Sequence, residues 1–158
     1  MVTQIPDFNE VYNRKLRALE QELHLLGNEI VERVVDYLDR RNINVTGDLR
    51  KSITYQVQKE IGQFRLTVGS GVGLGGRNIK YDVFVHEGTR PHWTPEKPIR
   101  KWVIRKLGVR GDDVNKVTYL VRRKIALKGT KARPFLTTPF RLYRNILVRR
   151  IAAAIARG

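Results

Sequence analysis

Cysteine is absent from this chain, which excludes disulfides and thiolate metal sites and fits synthesis in a reducing cytoplasm. Long apolar runs are absent as well. No window approaches the roughly eighteen uncharged apolar residues of a membrane span. The opening Met1-Val2-Thr3-Gln4-Ile5-Pro6-Asp7 has no basic segment leading into an apolar one, so a soluble, unprocessed chain without a membrane partner is expected. Histidine is scarce at three residues, and no Ser-His-Asp order, credible nucleophile or paired-carboxylate pocket stands out. The expectation is a chain that is not an enzyme, with no catalytic residue, cofactor or metal.

Acid is the other scarcity, and it is local. Met1 to Ile61 holds 9 Lys/Arg against 10 Asp/Glu, Gly62 to Glu96 holds 4 against 3, and Lys97 to Gly158 holds 18 against 2. The whole net charge of +16 therefore sits in the C-terminal third, which should meet an anionic surface: DNA, an acidic protein, or both. A length of 158 residues suits one domain with a real core.

Apolar residues at Phe8, Tyr12, Leu16, Leu19, Leu23, Leu26, Ile30, Val34 and Leu38 recur at steps of three and four, which predicts an amphipathic helix of about 50 Å. Pro6-Asp7 would start it and Arg40-Arg41-Asn42 end it. Such a helix outruns a small domain, so part of its stripe, Phe8 and Tyr12 first, is expected to pack on a neighbouring subunit. Gly27 inside it points to a close contact or a bend, and His24 beside the stripe reads as structural. Thr46 is placed to cap a turn from Asp48 to Lys51. Ile53, Tyr55 and Val57, then Phe64, Leu66 and Val68, alternate as two strands joined near Ile61-Gly62-Gln63.

Gly69-Ser70-Gly71-Val72-Gly73-Leu74-Gly75-Gly76 lacks the Gly-Lys-Ser/Thr of a phosphate loop and reads as a mobile hairpin loop over 69–77. Tyr81 to Val85 reads as a third strand. Pro95, Pro98 and Ile99 open a helix with Ile99, Trp102, Val103 and Leu107 inward, ending at Gly108. Asp112 is placed to cap the next, with Val114, Val117, Leu120, Val121 and Ile125 inward and Gly129 as its stop, although Val117 to Val121 also fits a strand. A last helix from about Pro139 carries Phe140, Tyr143, Leu147, Ile151 and Ile155.

His86-Glu87 with His92 is the one constellation that invites a metal or catalytic reading. A zinc-protease helix needs its histidines four apart, and here they are six apart across Gly88-Thr89-Arg90-Pro91. A turn in which His and Glu bond backbone groups fits better. Trp93 and Trp102, with Phe135 and Phe140, could stack on nucleic acid. Trp102 at helical spacing reads as core, whereas Trp93 in a proline-flanked loop beside Arg90 and His92 reads as a contact residue. Lys131-Ala132-Arg133-Pro134-Phe135-Leu136 is the second contact element, Phe135 being placed to plug its own core or a partner's groove.

Three segments together carry a resemblance: Thr46-Gly47-Asp48-Leu49-Arg50-Lys51-Ser52-Ile53, Tyr81-Asp82-Val83-Phe84-Val85-His86-Glu87-Gly88-Thr89, and Gly129-Thr130-Lys131-Ala132-Arg133-Pro134-Phe135-Leu136. In this order and spacing they resemble the head-tail joining proteins of long-tailed bacteriophages: neck, tail-completion and minor tail components of the lambda gpZ type. The resemblance runs from about Thr46 to the C-terminus. Thr137-Thr138-Pro139 departs from it, standing where the family has a Pro-Ala pair sooner. It implies a virion structural protein made in the host bacterial cytoplasm, a ring-forming homo-oligomer at the head-tail interface around the DNA path. Its partners would be portal-side adaptor or head-closure proteins and tail-terminator or tail-tube proteins, with non-specific DNA contact possible and no enzymatic activity.

The expected fold is α+β: a long N-terminal helix (1–41), a small antiparallel sheet of three to four strands (46–87) and basic helices packed on it (97–158), all one domain over 1–158. Candidate interface residues are Phe8, Tyr12, Arg90, His92, Trp93, Lys131, Arg133 and Phe135. A non-specific nucleic-acid-binding protein is the competing reading, supported by a pI near 10.7 but lacking any base-reading signature. DNA binding should accordingly be weak and sequence-indifferent, falling on the order of 1,000-fold between about 50 and 200 mM salt. Anisotropy with two unrelated duplexes checks this; a roughly hundredfold preference for one of them at physiological salt would contradict it.

Overall fold

The computed structural model describes residues 7–43, 47–71 and 82–157. Helix α1 (Phe8–Arg40) starts where the Asp7 carboxylate accepts the Asn9 N–H, and ends where Asn42 takes a left-handed φ of 50°. A short α2 (Asp48–Ser52) leads into strands β1 (Ile53–Glu60) and β2 (Gln63–Ser70), then come α3 (Asp82–Glu87), α4 (Glu96–Leu107), α5 (Asp113–Lys128) and α6 (Thr137–Arg157). The fold is α+β, with a two-stranded antiparallel sheet among the described residues. Its register pairs Ile53 with Ser70 and Glu60 with Gln63 around the Ile61-Gly62 turn.

The main core lies where α1 packs against α6 and the hairpin. Leu26, Ile30, Val34 and Leu38 from α1 meet Leu49, Ile53, Phe135, Tyr143 and Leu147, all buried. Gly27 is the close contact the sequence called for. A methyl there would enter the ring of Tyr55, whose hydroxyl lies 3.3 Å from His24 Nδ1. The stripe is not covered along its whole length: Phe8 is 79% exposed and Tyr12 stacks on it, half-exposed, beyond the reach of α6. A second, smaller core is made by Val103 of α4 with Val114 and Thr118 of α5, outside the main cluster.

Several expectations are corrected. The third strand is helix α3: the Asp82 carboxylate accepts the Val83 N–H at 2.8 Å, and the Val85 and His86 carbonyls together accept one donor, Arg133 N–H. A five-residue apolar run carries no periodicity that separates strand from helix, so α3 was not legible. Val117 to Val121 is helical within α5, as the helix reading has it, and the strand alternative falls away. Leu107 and Leu120 point to solvent, and Thr118 takes the inward place beside Val114. Phe140 and Ile155 are also exposed; the small Ala154 lets α6 approach α1 instead. Asp112 occupies the N-cap position of α5 without a side-chain cap bond. The Thr46 cap and most of the glycine loop lie outside the described residues; Gly69 and Ser70 belong to β2, and Gly71 N–H donates to the Ser52 carbonyl.

A polar clamp closes the α1–α6 seam. Arg150 Nε donates to Glu22 Oε1 at 2.6 Å, its Nη1 donates to Glu29, and the Tyr143 hydroxyl donates to the same Glu29 carboxylate while Arg33 lies over the Tyr143 ring. The Arg150 bond, with that of Tyr143, holds the Glu29 carboxyl below the usual carboxylate range. A lowered folded pKa contributes stability above the unfolded value near 4.3 and loses it as pH falls through the folded one. Glu22 is buried, so removing Arg150 leaves its charge, among the described residues, only the longer contact to Arg157 at 3.9 Å. Arg150→Ala should therefore cost about 2 kcal/mol at neutral pH in urea unfolding, and the gap to wild type should narrow below about pH 4.

Candidate partner-binding groove

Two Gly-Thr dipeptides, 41 residues apart, meet in space. Thr89 N–H donates to the Thr130 carbonyl at 3.2 Å and Thr130 N–H returns a bond to Thr89 at 3.1 Å, forming an isolated antiparallel bridge with the two hydroxyls 3.0 Å apart. The preceding glycines make this approach possible. Gly88 and Gly129 have φ of 74° and 67°, and a Cβ on either would collide with the opposite backbone at Thr130 or Thr89. Below the bridge, Arg133 N–H joins the end of α3, and Phe135, wholly buried, packs edge-on against the His86 ring at 5.2 Å. Phe135 therefore plugs its own core, which corrects its place among the contact candidates: the turn at Arg133-Pro134 drops it beneath α3.

The bridge sets the α4–α5 hairpin beside α3 and α2 and leaves between them a groove of about 1340 Å³. Val83, Phe84, Ile99, Trp102, Val121 and Ile125 supply its apolar walls. Val83 and Phe84 are more than half exposed there, so among the described residues no side chain fills the groove. Among the described residues seven cations line it, Arg90, Lys101, Arg105, Lys124, Lys128, Lys131 and Arg133, against the two acids Asp48 and Glu87. None of the seven forms an ion pair with a described residue.

Four of the eight interface candidates, Arg90, His92, Lys131 and Arg133, thus converge on one groove from segments forty residues apart. Trp93 stands just outside it. Its half-exposed ring meets Tyr119 edge-on, and the Arg122 guanidinium lies 4.8 Å above it while donating to the Thr94 carbonyl and to Glu96. Arg122 thereby fixes the loop 90–95 on α5, a role no sequence spacing signalled. Phe8 and Tyr12 lie at the free end of α1, away from the groove lining. Trp102, read as core, is a half-buried groove wall instead, because α4 turns only Val103 fully against α5.

The His86-Glu87-His92 constellation is dispersed. The His86 Nδ1 is buried without a hydrogen-bond partner, contrary to the backbone bond expected of it, because its ring is taken up by Phe135. His92 Nδ1 contacts the Arg90 carbonyl at 2.8 Å. Among the described residues no group of three His, Asp or Glu is placed to hold a metal ion, and no helix is long and apolar enough to cross a membrane.

Comparison with protein-family models, with curated proteins and with solved structures finds no match to this chain.

The bridge makes a graded prediction with an internal control. Gly129→Ala and Gly88→Ala should each destabilise by about 2–4 kcal/mol, since strain at positive φ adds to a backbone collision. Gly108→Ala, at φ 67° with open space around it, should cost only about 1 kcal/mol. Denaturant midpoints of the three variants give the comparison.

Proposed function

We propose that the chain is a structural subunit of the neck or tail-completion complex of a long-tailed phage, joining head to tail as a ring around the DNA path. It works as a binding module and performs no reaction. The observation that carries this is the convergence of the motifs behind the resemblance. The Gly88-Thr89 and Gly129-Thr130 dipeptides bond to each other, and the Phe135-Leu136 pair that follows them packs into the core beneath. The signature is thus one three-dimensional unit, which supports reading it as a family trait and not as scattered turn dipeptides.

A ring also accounts for exposed apolar groups on both helices of the α1–α6 pair. Phe8 and Tyr12 project from the free end of α1, while Leu142, 77% exposed, Ile146 and Val148 are exposed along α6. Exposed apolar surface of this kind normally marks association. A closed cyclic contact would cover one surface with the next copy. The competing reading, a non-specific nucleic-acid binder, draws on the +16 charge, the pI near 10.7 and the basic helices.

Native mass measurement of the purified chain, alone and with head-closure and tail-terminator proteins of the same phage, tests the assignment. The expected result is a ring of identical subunits, formed alone or on adding those proteins, and head-tail joining that fails in its absence. A chain that stays monomeric with them and binds duplex DNA instead contradicts it.

A further inference from the structure

We propose that the groove between α3 and the α4–α5 hairpin is the docking site for an acidic amphipathic helix of another protein. The inference stands on the groove itself and does not depend on the virion assignment. Size comes first: at about 1340 Å³ the groove exceeds the roughly 300–1,000 Å³ of small-molecule pockets and suits a run of apolar side chains from a peptide. Charge sets the sign. Lys101 and Arg105 stand one turn apart on α4, Lys124 and Lys128 one turn apart on α5, and Arg90, Lys131 and Arg133 close the end at the bridge. Seven cations against two acids, with apolar walls between them, complement a segment whose anchors are apolar and whose flanks are carboxylates.

Backbone chemistry selects a helix over a strand. The apolar walls lie on helices α3, α4 and α5, whose peptide groups are bonded within their own turns, and the bridged pair Thr89 and Thr130 uses its N–H and carbonyl groups on itself. An extended peptide laid against these helices would find no strand edge there and would leave buried N–H and carbonyl groups unmet. A helix brings its own hydrogen bonds and presents anchors at steps of three and four. A second copy is the weaker occupant. Its free apolar end, Phe8 and Tyr12, carries only Asp7 and Glu10 before Arg14, Lys15 and Arg17 follow.

The probe is a synthetic helix of about four turns with Leu and Phe at every third and fourth position and Glu elsewhere, titrated with the full chain and read by anisotropy. Saturable binding is expected. Phe84→Ser, and separately Lys101→Glu combined with Lys124→Glu, should each weaken it at least about tenfold. These side chains line an open groove, so unchanged circular dichroism is expected, and Lys128→Glu supplies a further charge variant should one of them misfold. The proposal is overturned if no binding occurs, if a helix with Lys in place of Glu binds equally well, or if the variants bind like wild type. It is also overturned if Phe84→Ser abolishes self-association while the acidic helix fails to bind, which would make a second copy the occupant. Tighter, Phe84-dependent binding of a short duplex would assign the groove to nucleic acid and likewise overturn it.

Discussion

The α4–α5 hairpin packs far more on itself than on any other element, so its position depends on a few backbone groups. Chief among them is the exchange of hydrogen bonds between Thr89 and Thr130. That exchange needs two backbones closer than any side chain would permit, and Gly88 and Gly129 provide the approach. Its consequences run outward in both directions. On one side the chain turns from the bridge into Arg133-Pro134 and delivers Phe135 to the main core beneath His86; on the other it holds α4 and α5 away from α3, which opens the groove. Arg122, reaching back to Thr94 and Glu96 and covering Trp93, fixes the near end of the hairpin, and Lys106 of α4 donates to Asn42 at the end of α1.

Much of this was readable in the residues. The amphipathic period of α1 fixed its length and its inward face, the alternation of Ile53-Tyr55-Val57 with Phe64-Leu66-Val68 fixed the hairpin, and Gly108 and Gly129 marked two helix ends. Phe8 and Tyr12 were picked out as the exposed end of the stripe by length alone. What failed did so for physical reasons. Tyr81 to Val85 is too short for its period to distinguish strand from helix. Leu107, Leu120 and Phe140 look like core in a helical projection, but whether a helix face is covered depends on what packs there: α4 and α5 pack chiefly on each other, and α6 turns Tyr143 and Leu147 to α1 and leaves Phe140 out. The groove was half legible: its basic ends were singled out as contact elements, while its walls, Trp102, Val121 and Ile125, were assigned to the interior.

The basic C-terminal third also divides once the structure is considered. Lys101, Arg105, Lys124, Lys128, Lys131 and Arg133 gather at the groove with Arg90, whereas Arg150 is spent on the α1–α6 seam, where it neutralises Glu22 and Glu29. The net charge of +16 is therefore not one undifferentiated field. Part of it stabilises the fold, part lines an apolar channel, and Arg141, Arg144 and Arg149 lie exposed on α6 beside Leu142 and Val148. A surface that pairs cations with exposed apolar groups supports the proposed protein partner more than a phosphate backbone, which rewards charge alone.

All of this rests on the bridge being closed in solution. Amide hydrogen exchange by NMR on the isolated chain measures it directly, because Thr89 and Thr130 each donate one bond of the pair. The two amides should exchange together, slowed at least about a hundredfold relative to an unstructured chain. If both exchange at the unstructured rate while the amides of β1 and β2 stay protected, the hairpin is not held at Thr89 and Thr130, and neither the seating of Phe135 nor the groove follows from the bridge.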